Sequence, residues 1–136
     1  MTNDEYQRIK RQEFKDEKLY GLFESLRDRA GQTSEFDQLA ADGKLPEVSK
    51  LALAWDSTIR KAVLDKANEQ LTGADKESGA RISKLVLEDL KRLDKLAKAG
   101  SKDEVPAVSA ALRGHELDFV NLEPQRLADK FSLGDL

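Results

Sequence analysis

No cysteine occurs in the 136 residues, which excludes disulfides, thiolate metal sites, cysteine-linked haem and cysteine nucleophiles. The redox compartment stays open. Histidine occurs once, too few for the paired or facing histidines that hold metal in helical bundles. β-Branched residues are scarce, at 6 Val, 3 Ile and 4 Thr, so little of the chain favours strands. No apolar run approaches the ~20 residues that span a bilayer, and no signal-like apolar stretch opens the chain, so a soluble chain is expected. Nor is there a positive excess: 23 Lys plus Arg face 26 Asp plus Glu, a net charge of −3. A general nucleic-acid binder needs the opposite balance to release phosphate counterions.

What the sequence does contain is helix chemistry, with 20 Leu and 15 Ala among 36% charged residues. The length suits one domain with a single core, burying roughly two thirds of its unfolded surface. The expected fold class is all-α, an up-and-down four-helix bundle with a short crossover helix and a short C-terminal helix. Gly31, Gly43, Gly73 and Gly100 read as helix stops. The first helix runs from about Asn3 to Ala30, with Leu19, Leu22, Phe23, Leu26 and Ala30 on one face. Its front half holds only Tyr6, Ile9 and Phe14 among balanced charges, which suggests a frayed or partner-dependent contact arm.

Ser34 and Asp37 resemble a capping box for a crossover helix carrying Phe36, Leu39 and Ala40. From Pro46, a stripe of Val48, Ala52, Trp55, Ile59, Ala62, Val63 and Ala67 predicts a long core helix to Leu71, widened by Leu51, Leu53 and Leu64. A helix from Asp75 to the Gly100 stop carries Ile82, Val86, Leu90, Leu93 and Ala97. The last long helix, from about Asp103, places Val105, Val108, Leu112, His115, Phe119 and Leu122 at a 3.5-residue average, the seam of an antiparallel bundle. Pro124 opens a short helix with Leu127, Ala128 and Phe131. The organisation is therefore a charged arm over 1–18, a bundle over 19–122, and a short helix and tail over 123–136, with no internal repeat.

Candidate chemistry is sparse. His115 falls inside the apolar arc of its helix and is expected in or beside the core. That position suits a structural role better than a phosphoryl acceptor, which must meet another protein's aspartyl phosphate. Carboxylates interleave with basic residues along what read as solvent faces, as at Glu88, Asp89 and Asp94. No glycine-rich phosphate loop and no Ser–His–Asp partnership is present, so neither an enzyme nor a bound metal, cofactor or small-molecule substrate is expected. Trp55 and Tyr20 are assigned to core packing.

The most specific surface feature is basic. With Ile82 as zero and about 100° per residue, Lys84, Lys91, Lys95, Lys98 and Lys102 fall on one line opposite the apolar stripe. Residues 81 to 102 hold 7 basic side chains against 3 acidic ones. Such a line serves either as a solvated face or as a docking edge for an acidic partner, with salt-sensitive binding.

The stretch from Leu85 to Leu122 resembles the last two helices of the PsbQ-like extrinsic proteins of photosystem II, in particular the diatom and red-algal type. The resemblance rests on Leu93, Asp94, Ala97 and Lys98, a Ser101 to Glu104 link, then Ala111, Leu112, Leu117 and Asp118. It implies a non-catalytic subunit, peripheral to the membrane in the chloroplast thylakoid lumen after removal of a transit peptide. Its partners would be the photosystem II core and other extrinsic subunits, its role the retention of calcium and chloride, and its free form a monomer. The resemblance implies that surface lysines enter that contact, and Lys91, Lys95, Lys98 and Lys102 are the positions here that could serve. Two other readings of the residues stay open: a cytosolic helical adaptor binding through its charged arm, and histidine phosphotransfer through His115.

Overall fold

A computed structural model describes residues 2–132; 89% of these described residues are helical, and none of them lies in a strand. The first helix, α1 (Asn3–Gly31), begins with a capping box. The Thr2 hydroxyl accepts from the Glu5 amide at 3.2 Å, and the Glu5 carboxylate accepts from the Thr2 amide at 3.3 Å. The helix is continuous through the front half that carries the charged arm. Its buried stripe, Leu19, Phe23, Leu26 and Ala30, follows the three-four spacing. Helix α2 (Ser34–Ala41) is preceded by Thr33, whose hydroxyl donates to the Ala30 carbonyl at 3.1 Å rather than capping. The capping box expected at Ser34 and Asp37 does not form.

Pro46 sits in the first turn of α3 (Leu45–Ile59), where its missing N–H breaks no bond. The long helix expected to Leu71 is interrupted by a π turn over Arg60–Leu64, whose wider loop is closed by the Asp65 amide bonding the Arg60 carbonyl, before α4 (Asp65–Gln70). Trp55, Ile59, Val63, Leu64, Ala67 and Leu71 are all buried, whereas Ala62 and Leu53 of the expected stripe are exposed. Helix α5 (Gly73–Ala99) starts two residues earlier than expected and ends at Gly100, whose φ of +75° is the left-handed conformation glycine adopts freely. A short 3-10 turn over Lys102–Glu104 then feeds α6 (Val105–Val120), and α7 (Gln125–Ser132) closes the described chain.

Specific pairs fix the topology. Thr33 meets Ser109 while Phe23 meets Phe119, so α1 and α6 run antiparallel. Ser49 bonds Asp94 while Asn68 bonds Ser83, so α3–α4 and α5 are antiparallel as well. Arg29 lies over Trp55 while Gln70 reaches the region of Phe14, which makes α1 antiparallel to α3–α4. The result is an up-and-down four-helix arrangement with α1 and α5 on a diagonal. Helix α2 covers one end, where Phe36 packs edge-on against Trp55 with ring centres 4.9 Å apart. Trp55 is core as expected; Tyr20 is partly buried, stacked on Phe131 of α7.

Two glycines give opposite expectations. A Cβ at Gly79 would fall on Asn68 Oδ1 and lie 2.9 Å from a Leu71 methyl, and Asn68 is held by its 2.9 Å bond to Ser83. Around Gly114 there is open space. Gly79→Ala is expected to lower stability by about 1–2 kcal/mol through overpacking, and Gly114→Ala to raise it by about 0.5–1 kcal/mol through better helix propensity. Urea unfolding of both variants distinguishes packing from propensity.

Candidate functional site

The outer face of α5 carries the basic edge. Lys84, Lys91, Lys95 and Lys98 are exposed along it, flanked by exposed Arg81 and Arg92. Lys102 is exposed too, but the helix ends at Ala99 and turns at Gly100, so Lys102 belongs to the following 3-10 turn and does not continue the line. The acidic side chains of this segment are mostly withdrawn. Asp89 is buried at 2% exposure, and Asp94 is half-buried, accepting from the Ser49 hydroxyl and from Lys98 at 3.0 Å. The Ser49 hydrogen bond, together with Lys98, holds the Asp94 carboxyl below the usual range against its partial desolvation. Glu88 is therefore the one fully exposed carboxylate between residues 81 and 102, and the surface is more basic than the residue count suggests. Exposed Asp103 and Glu104 end the edge.

Asp89 corrects the reading of a solvated acidic row. Its carboxylate meets His115 Nδ1 at 2.5 Å, joining α5 to α6, with the His115 side chain 28% exposed. Sequence reasoning missed the neighbouring residue altogether. Glu116 is completely buried, and neither carboxylate oxygen has a hydrogen-bond partner. Burial pushes its pKa up to about 8; the positive charge of Arg29 opposes this and the negative charge of Asp89 adds to it. The Arg29 guanidinium stacks over the Trp55 ring at 5.4 Å from its centre. An unpaired carboxyl in such surroundings is held neutral, because an isolated buried charge costs far more than a proton.

A second polar cluster fastens α7. Asp16, buried at 6% exposure on α1, accepts from Arg126 at 2.7 Å and Gln12 at 3.0 Å, with Lys130 at 3.6 Å. Desolvation raises its pKa, but the hydrogen bonds from Arg126 and Gln12 and the charges of Arg126 and Lys130 outweigh it, leaving the carboxyl below its usual range. Leu127 inserts fully beside this cluster. The lowered pKa means that the attachment is present above the ordinary carboxylate pKa and is lost as pH falls through the native value. Asp16→Ala is expected to expose the segment from Pro124 to limited proteolysis at neutral pH, while the four-helix core retains its far-ultraviolet signal.

The lysine edge and the Glu116 cluster do not meet: the lysines face out from α5, and the carboxyls lie between helices. Among the described residues no group of three or more His, Asp or Glu side chains could hold a metal ion, and no helix is long and apolar enough to cross a membrane. Comparison with protein-family models, with curated proteins and with solved structures returns no match to this chain.

Proposed function

We propose that this chain is a non-catalytic docking subunit that uses the lysine edge of α5 to bind an acidic surface, and that this surface belongs to the lumenal side of photosystem II, where the protein stabilises the oxygen-evolving centre by helping retain calcium and chloride. The observation that carries the docking reading is the charge segregation on α5: the lysines are exposed, while Asp89 and Asp94 are withdrawn or paired. Exposed lysines on a rigid helix guide encounter with an acidic partner without the entropy loss of ordering a loop. The choice of photosystem II rests on the resemblance of Leu85 to Leu122 to PsbQ-like proteins. Lumenal location follows from that choice alone.

Histidine phosphotransfer gains little from the geometry, since His115 is mostly covered and its Nδ1 is engaged with Asp89. The adaptor reading differs in both partner and surface, since it binds through the charged arm at the start of α1 and not through the α5 edge. The deciding experiment mixes the protein with salt-washed algal photosystem II membranes, pellets them at low and high ionic strength, and assays oxygen evolution. Salt-reversible binding that restores activity at limiting calcium and chloride is expected. Absence of binding to matched algal membranes would remove photosystem II as partner.

A further inference from the structure

The first half of α1 presents a second surface, on the helix diagonal to α5. Residues 2–15 include no buried side chain, because α6 ends opposite Phe23 and α7 covers α1 only from Asp16 onward. Tyr6, Ile9 and Phe14 are 49%, 41% and 58% exposed on this overhang. Phe14 is more than half exposed, so apolar surface remains there for a partner to cover. Around Phe14, the side chains of Lys10, Arg11, Lys15, Lys18 and Gln70 enclose a depression of about 470 Å³. The Lys18 ammonium stands 4.7 Å from the Phe14 ring centre. No carboxylate lines the depression, and Arg11, Lys15 and Lys18 form no ion pair among the described residues.

We propose that this depression is a docking site for an acidic peptide segment of a partner protein, one that places an aromatic or branched apolar side chain against Phe14 while its carboxylates meet Arg11, Lys15 and Lys18. The charge pattern selects the occupant. An apolar residue alone would leave three unpaired cations around it, and a free anion alone would leave Phe14 uncovered. A membrane fits less well: counted at about 100° per residue, Glu13 and Glu17 fall inside the arc from Ile9 through Tyr6 to Phe14 and would be driven into the lipid with it. The proposal does not depend on the photosystem reading or on the α5 edge.

Selection of short random peptides displayed on phage against the immobilised full chain tests it. The enriched peptides are expected to be acidic with one apolar anchor, and, made as labelled synthetic peptides, to lose about tenfold or more in affinity against either Phe14→Ser or the pair Lys15→Glu and Lys18→Glu. All three positions are exposed, so both variants keep the wild-type helical signal. Enrichment of peptides without acidic residues, no enrichment at all, or equal affinity for the variants overturns it. So does Phe14-dependent binding to phosphatidylserine vesicles, or Phe14-dependent self-association, in the absence of peptide binding.

Discussion

Glu116→Gln is expected to stabilise the protein relative to wild type progressively as pH rises from 5 to 8, with the gap widening by about 3–4 kcal/mol. The native carboxyl titrates near 8, the unfolded one near 4.5. Between these values the folded state keeps a proton that the unfolded state has released, so the stability present at low pH drains away as pH rises and levels off above 8. Glutamine has no proton to lose and is nearly isosteric, which removes this slope while leaving other titrating groups in place. The variant carries a cost of its own, since its amide also lacks partners in this pocket. That cost is independent of pH, so the difference between the two stability curves isolates the titration. Urea unfolding of both proteins at several pH values measures it; parallel curves would mean that Glu116 has found a partner in solution or is not buried.

The second large effect concerns binding. Lys91→Glu, Lys95→Glu and Lys98→Glu together reverse the centre of the α5 edge and are expected to weaken docking on an acidic partner about a hundredfold or more at low ionic strength. Folding should barely change, because each position is exposed and surface substitutions usually fall within about 0.5 kcal/mol. Lys98 is the exception, since its reversal places a like charge beside Asp94 and adds a few tenths of a kcal/mol. A control triple at Lys44, Lys61 and Lys66, all exposed and off α5, changes net charge equally and is expected to dock nearly as wild type. Equal losses in both triples would assign the effect to overall charge, not to the edge.

Helices and core stripes were legible because a 3.6-residue period is written directly into positions such as Leu19, Phe23, Leu26 and Ala30. The π turn was legible only in principle. Trp55, Ile59, Val63, Ala67 and Leu71 are spaced by four, and four successive such steps drift about 160° around an ideal helix, a drift that one residue inserted in a single π turn takes back by about 100°. Asp89 lies only about 20° from Ile82 by the same counting, at the edge of the buried stripe, and its charge masked that position. Glu116 likewise sits about 40° from Leu112, between buried Val105 and Val120 on the same count. Composition reads acidic residues as surface; angular position did not. Lys102 lies off the α5 helix for a different reason, since a periodic count carried across Gly100 ignores the turn that glycine makes. The α1 overhang depends on where α6 ends, which no local pattern around Phe14 records.

Zero-length cross-linking shows whether α5 is the docking face. A carbodiimide joins lysine amines to carboxylates in contact, so mass spectrometry of the protein bound to photosystem II membranes reports which lysines touch the partner. Cross-links from Lys84, Lys91, Lys95 and Lys98 are expected. Cross-links confined to lysines away from α5, in a complex that still releases with salt, would contradict it.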